Sequence, residues 1–152
     1  MIRLYRDEDC QAVLDIWERA SRVGHPFFDD AELARQRHEI EVKYIPMADQ
    51  WVFEIDGELA GFIAMIGSQI GGLFIDPPHH RKGLATALID HVRKMRPNLT
   101  VEVFVANQGG RAFYSRYGFV ETAVHPDPGV GLPVVVCKLS LTDQRPAPPA
   151  DR

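Results

Sequence analysis

Residues 80–86 combine small and basic side chains at the start of an amphipathic segment, a composition that suits a phosphate-binding site. Gly83 and Ala85 leave the main chain open to a ligand, while Arg81 and Lys82 supply positive charge. The first N–H groups of a helix have no partner within the helix, so they bind phosphate readily. The alternative is a closely packed loop that is incidentally basic. The spacing matches neither a P-loop nor the glycine motif of dinucleotide-binding folds.

The surrounding sequence predicts a strand, a tight turn and a helix. Residues 73–75 form a short apolar run between Gly71-Gly72 and Asp76-Pro77-Pro78, which is typical of a buried strand. Beyond the turn, apolar residues recur on one helical face from Leu84 to Met95. The two glycines predict a β-bulge in the strand. The candidate phosphate site therefore lies where a strand ends and a helix begins.

Together with a later segment, this unit resembles the GNAT superfamily of N-acetyltransferases. The run Phe74-Ile75-Asp76-Pro77, followed by residues 80–85, resembles motif A of that superfamily, with His80 where Gln or Arg is usual. Residues 107–114 read Asn-Gln-Gly-Gly-Arg-Ala-Phe-Tyr and precede a Gly-Phe pair, which resembles the family's Asn-x-x-Ala-x-x-Phe-Tyr element. Gly110 occupies the Ala position. Two elements in the family's order carry the resemblance, which covers residues 1 to about 140.

The resemblance implies the fold. It predicts a mixed α/β domain over residues 1–140, with a seven-stranded, mostly antiparallel sheet splayed at its centre and about four helices. Two of these helices precede a hairpin, which Asp56-Gly57 indicates, and two follow it. Residues 141–152 are rich in Pro and Ala without an apolar face, and we predict that they form a disordered tail.

The resemblance also implies that the chain uses acetyl-coenzyme A. In the family, the amides of motif A hold the pyrophosphate, and the splayed strand binds the pantetheine arm and the acetyl carbonyl. A main-chain N–H there would stabilise an oxyanion. Asn107 corresponds to a residue that hydrogen-bonds the pantetheine arm. The residues that this assigns to the cofactor are Leu73, Phe74, Ile75, His80, Arg81, Lys82, Gly83, Leu84, Ala85, Thr86 and Asn107.

Tyr114 is the candidate general acid under this resemblance. A phenol remains protonated at neutral pH and can give its proton to a departing thiolate. The alternative is an aromatic core residue beside Phe113. Because neighbouring residues on a helix point about 100° apart, we expect only one of these two side chains to face the core.

His25 is the second candidate catalytic residue. It lies in the loop Gly24-His25-Pro26-Phe27-Phe28, which the resemblance places at the acceptor site. Imidazole titrates near neutral pH, so His25 is the best side chain to take the proton of the amine. His79 and water are the competitors for that role. The alternative is a loop held by its two phenylalanines, with an incidental histidine.

Composition limits the other classes of function. A chain of 152 residues corresponds to one domain, and its net charge of −4 disfavours a broad basic surface for nucleic acid. Its apolar runs are too short to span a membrane, and acidic residues near the start argue against a signal peptide. Cys10 and Cys137 give no metal-ligand spacing, so we expect no metal. We interpret them as buried, reduced thiols of a cytoplasmic protein.

We therefore predict an enzyme that moves the acetyl group of acetyl-coenzyme A to a primary amine of a small molecule or peptide. The amine attacks directly in a ternary complex, with Tyr114 as general acid, in a monomer or a homodimer. The alternatives are a non-catalytic module that binds coenzyme A or acyl-coenzyme A, and an acyltransferase that uses another acyl chain. Tyr114 favours the enzyme, since a binding module has no need of a proton donor.

Overall fold

Within residues 1–140, a seven-stranded mixed sheet forms the centre of the fold, in the order β1-β2-β3-β4-β5-β7-β6. The structure is a computed structural model that describes residues 1–140, and the predicted tail at 141–152 lies outside them. The strands are β1 (Ile2–Leu4), β2 (Asp49–Ile55), β3 (Glu58–Ile66), β4 (Gln69–Ile75), β5 (Leu99–Phe104), β6 (Val120–Pro126) and β7 (Pro133–Leu139). All neighbouring strands are antiparallel except β4 and β5. The predicted mixed α/β fold and its mostly antiparallel sheet are confirmed.

Two helical segments precede the β2–β3 hairpin and two follow β4, as predicted. The helices are α1 (Cys10–Gly24), α2 (Asp30–Glu39), α3 (Ile45–Met47), α4 (Leu84–Arg93) and α5 (Gln108–Tyr117). A π-helical turn, Ile40–Tyr44, joins α2 to the short α3, so these form one segment. Asp29 caps α2 by accepting a hydrogen bond from the Glu32 N–H at 2.8 Å. Such a cap fixes where the loop between α1 and α2 ends.

The sheet opens at its centre because β4 and β5 are paired over only two residues each. Gln69 is opposite Thr100 and Ile70 is opposite Val101, after which the two strands diverge. Between β3 and β4, Met65 is opposite Ile70 and Ala64 is opposite Gly72, so Gly71 is the extra residue of a bulge in β4. The predicted bulge and splay are therefore confirmed. Beyond the bulge, β4 pairs with β3 alone.

Apolar residues fill both faces of the sheet, because side chains alternate along each strand. On one face, residues of α1 and α2 pack against Val52 and Phe62, with Phe74 at the border of this cluster. On the other face, α4 and α5 pack against a larger cluster that Leu73 and Ile75 border. Strand β4 thus has Phe74 on one side of the sheet and its two neighbours on the other.

Two further expectations concern the cysteines and the membrane. Cys137 is buried and Cys10 is half-buried, and both are free thiols. Within residues 1–140, the structure contains no helix with the length and apolarity that crossing a membrane requires.

Candidate functional site

The N-terminus of α4 provides free backbone donors. Gly83 is its N-cap residue, with a φ of 79°, a left-handed conformation that glycine adopts without steric cost. The first hydrogen bond of the helix runs from the Ala87 N–H to the Gly83 carbonyl at 3.0 Å. The N–H groups of Leu84, Ala85 and Thr86 therefore precede the helical ladder and face the end of the helix. These are the donors that the sequence predicted for a phosphate.

Side chains around this helix start suit an anion. The buried Thr86 Oγ1 has no hydrogen-bond partner within residues 1–140, and the same holds for the Nδ1 of His79. Arg81 and Lys82 are exposed, and neither forms an ion pair within that part of the chain. Open N–H groups, an orphaned hydroxyl and two unpaired cations fit the pyrophosphate of coenzyme A.

The loop before α4 is held in place from two sides. The Nε2–H of His80 donates to the carbonyl of Ile75, the last residue of β4, at 2.6 Å. Asp76 accepts two hydrogen bonds from the guanidinium of Arg19 on α1, at 2.8 and 3.0 Å. His80, which departs from the family's Gln or Arg, thus ties the loop to the strand. The sequence offered no signal for the contact between Arg19 and Asp76.

His25 lies across the gap between the diverging strands. Its ring centroid is 6.5 Å from that of Phe74 on β4 and 5.2 Å from that of Phe104 on β5. Phe27 and Phe28, from the same loop, lie 5.6 and 5.9 Å away. Phe27, Phe28 and Phe104 also contact one another, with ring centroids 4.8, 5.3 and 5.7 Å apart, and we call the five packed rings the aromatic chamber. It lies at the C-terminal ends of β4 and β5, on the face of the sheet that α1 and α2 cover.

Burial in this chamber lowers the pKa of His25 to about 4. No ionisable group contributes to this shift; removal of water from the ring is its cause. The prediction that His25 would titrate near neutral pH is therefore wrong, because the sequence does not show how many rings surround it. His25 is neutral at physiological pH.

Asn107 joins the chamber to α5. As N-cap residue of that helix, it accepts a hydrogen bond at Oδ1 from the Gly110 N–H at 3.0 Å. Its Nδ2 lies 3.3 Å from the Nε2 of His25. An amide nitrogen carries two hydrogens, so one remains for a ligand. The predicted pantetheine contact and the predicted acceptor-site histidine are therefore neighbours.

Tyr114 is buried, with 8% of its surface exposed, and packs against Phe113 and Phe119 at 5.2 Å between ring centroids. Phe113 borders the same apolar cluster, so the expectation that only one of the pair faces the core is wrong. Both rings fit because the cluster extends around the helix. Burial raises the pKa of Tyr114, which keeps the phenol protonated.

The hydroxyl of Tyr114 has no hydrogen-bond partner among the described residues 1–140. The neighbouring buried tyrosine on α5 differs in this respect, because the Tyr117 hydroxyl donates to Asp90 Oδ1 at 2.5 Å. The Tyr114 hydroxyl is not among the fully buried polar atoms that lack a partner, so its tip is open to water or to a ligand. A thiolate at this position could therefore accept its proton.

The structure thus arranges the predicted residues on two sides of one opening. On the α4–α5 side, Tyr114 belongs to the apolar cluster and Leu73 and Ile75 border it. Phe74 and His25 lie on the α1–α2 side. A thioester that enters from the first side and an amine that enters from the second would meet between β4 and β5. Sequence reasoning missed Phe104, which lies at the end of a strand and whose approach to His25 depends on tertiary structure.

The chain is similar in sequence to a known protein family. Residues 18–138 match a family described as Acetyltransferase (GNAT) domain. The chain is 32% identical over 120 residues to the peptidyl-lysine N-acetyltransferase YiaC of Escherichia coli strain K12, covering 78% of this chain and 82% of that protein.

Solved structures show the same fold. The solution structure of the apo form of YjaB from Escherichia coli superimposes with a TM-score of 0.82 at 27% identity, covering 91% of this chain and 96% of that one. The structure of yncA from Salmonella typhimurium, with its cofactor acetyl-coenzyme A, gives a TM-score of 0.68 at 19% identity, over 99% and 98% of the two chains.

Proposed function

Since the chain belongs to the GNAT acetyltransferase family and is an acetyl-coenzyme A-dependent N-acetyltransferase, we propose that its acceptor is the ε-amine of a lysine in a peptide or protein. The aromatic chamber is the observation that carries this proposal. A lysine side chain is a slender apolar stem that ends in an amine, and the stem packs favourably on aromatic rings. The relative YiaC, named a peptidyl-lysine N-acetyltransferase, supports the same acceptor class.

The chamber also favours the form of the amine that reacts. Lysine in water is protonated at neutral pH, and removal of water lowers the pKa of its ammonium group. The rings around His25 contribute no negative charge that would oppose this effect. A lysine that enters the chamber is therefore closer to the neutral amine than it is in solution.

The co-substrate supplies the acetyl thioester, whose carbonyl carbon the amine attacks directly in a ternary complex. In this proposal the first turn of α4, with Arg81 and Lys82, binds the pyrophosphate, and Asn107 orients the pantetheine arm. The main chain of residues 73–75 pairs with β3 alone, so it is available to bind the arm. An N–H there would stabilise negative charge on the carbonyl oxygen.

Two side chains move protons in this proposal. His25 accepts the proton of the attacking nitrogen, since its imidazole is neutral at physiological pH. A base with so low a pKa takes a proton only from a nitrogen that is already gaining positive charge as it bonds to carbon. Tyr114 donates its proton to the departing thiolate, and its unpartnered hydroxyl supports this role.

The test uses two peptides that differ at one position. Both carry an acetylated N-terminus; one contains a single lysine, and the other has norleucine in its place. We expect release of coenzyme A, and a mass increase of one acetyl group, only with the lysine peptide. Equal release with both peptides, or no release with a range of lysine sequences, would overturn the proposed acceptor.

A further inference from the structure

The orientation of the Asn107 side chain determines which nitrogen of His25 carries the proton. Because Oδ1 accepts from the Gly110 N–H, the atom that approaches His25 is Nδ2. An amide nitrogen donates only, so the Nε2 of His25 must accept, and the proton of the neutral ring is on Nδ1. We call this arrangement, Asn107 bonded to both Gly110 and His25, the Asn107 clasp.

We propose that Asn107 and Gly110 are positioning residues that hold His25 in the tautomer and place in which Nε2 receives the proton of the acceptor amine. The 3.3 Å separation is long for a hydrogen bond. Nε2 has a single lone pair, so the incoming amine displaces the Asn107 N–H from it, an exchange that the length of this contact favours. This inference rests on the proposed function, since it assigns His25 its part in the reaction.

Gly110 is required for the clasp. A Cβ at this position would lie 2.6 Å from Asn107 Nδ2 and 3.0 Å from its Cγ, closer than non-bonded atoms approach. The amide could not remain where it contacts His25. The same family position is usually Ala, as noted above, so this departure of the sequence from the family pattern has a structural reason. The amide of Asn107 lies over the first turn of α5, in the space that an Ala side chain would fill.

Few other groups fix the His25 ring. Its contacts within the described chain are the four phenylalanine rings of the aromatic chamber and the amide of Asn107, none of which is ionisable. Aromatic rings restrict where the imidazole lies, but they do not select a tautomer. Asn107 is therefore the group, among these contacts, that distinguishes the two ring nitrogens.

Gly110→Ala tests the inference without altering Asn107 chemically, and Gly109→Ala is its matched control. Both introduce one methyl group on neighbouring residues of α5, yet a Cβ at Gly109 would approach Asn107 only to 3.9 Å. Alanine favours helix over glycine, so both variants are expected to fold. Thermal unfolding checks this. Asn107→Ser is a second variant, because serine still caps the helix but is too short to reach His25.

Two readouts are needed. The ¹⁵N chemical shifts of the His25 ring distinguish protonated from unprotonated nitrogens, and we expect the proton on Nδ1 in the parent and in Gly109→Ala. Gly110→Ala and Asn107→Ser should lose this preference. Turnover of a lysine peptide at saturating acetyl-coenzyme A should fall in these two variants about 3- to 10-fold, as the loss of one hydrogen bond implies. Saturation removes any change in cofactor affinity from the comparison.

Each contrary result has a distinct meaning. A proton on Nε2 in the parent would overturn the clasp itself. Altered ¹⁵N shifts in Gly110→Ala with the same turnover as Gly109→Ala would overturn the positioning role. No acetyl transfer by the parent would overturn the proposed function, and the positioning role with it, even where the ¹⁵N shifts match the expectation for the clasp.

Discussion

Acidification is expected to destabilise this protein through His25. Its pKa of about 4 in the folded state lies below the value of about 6.5 for an unperturbed histidine. Between these two values the unfolded chain binds a proton at His25 and the folded protein does not. Stability then falls as the pH falls, by up to about 1.4 kcal/mol per pH unit for one proton. From pH 7.5 to 4.5 the loss that His25 causes is about 2.5 kcal/mol.

His25→Gln isolates this contribution, since glutamine keeps a polar side chain but does not titrate. Urea unfolding at pH 7.5, 6.5, 5.5 and 4.5 gives the free energy of unfolding of both proteins, with Trp17 and Trp51, which are buried, as the fluorescent probes. Other groups with lowered pKa values, such as Asp9 and Glu121, also destabilise the protein in acid. They are present in both proteins, so their effect cancels in the difference.

The parent should lose about 2.5 kcal/mol more than the variant over this range, and most of that loss should occur below pH 6.5. If both proteins lose the same stability, His25 is not a buried neutral histidine. The aromatic chamber would then be open to water, and the argument that it desolvates a lysine ammonium would fail as well.

Two further substitutions test the residues that we assign to acetyl-coenzyme A. Gly83→Glu should abolish the rise in melting temperature that coenzyme A causes, because it places bulk and negative charge at the α4 N-terminus. Gly67→Glu is the control for backbone strain, since Gly67 lies in a turn and also has a positive φ, of 60°. Normal binding by Gly83→Glu would contradict the pyrophosphate assignment. Tyr114→Phe should lower turnover by about 10²- to 10⁴-fold, or by less where water replaces the phenol, with little change in stability or coenzyme A affinity. Tyr117→Phe is the control: it removes a structural hydrogen bond and should mainly reduce the free energy of unfolding. Equal turnover of Tyr114→Phe and the parent would remove Tyr114 from the mechanism.

The geometry of the α4 start, to which we assign the pyrophosphate, could be predicted from sequence because its determinants are local. Gly83, Ala85 and the preceding Arg81-Lys82 follow each other along the chain, and helix geometry alone places their backbone at one point. The bulge at Gly71 could be predicted for the same reason, since two glycines inside an apolar strand indicate irregular pairing with the neighbouring strand.

The surroundings of His25, where we expect the acceptor amine, could be predicted only in outline, because the residues that form them come from distant parts of the chain. The loop at His25 is brought to Phe104 and Asn107 by the fold, and no spacing in the sequence indicates that contact. The low pKa of His25 depends on the number of rings around it, which is a tertiary property. Gly110 departs from the family pattern, which the sequence shows. The reason is the steric contact that a Cβ would make with the Asn107 side chain, which the sequence does not show.

Lysine acetylation is tested most directly with a peptide that offers two amines in one molecule. The peptide has a free N-terminus and one internal lysine, and it is incubated with the protein and acetyl-coenzyme A. Tandem mass spectrometry of the product locates the acetyl group. We predict that it is on the lysine ε-amine, because that side chain can lay its slender stem along the rings of the aromatic chamber. Acetylation of the N-terminal amine, or no acetylation of either, would contradict the account.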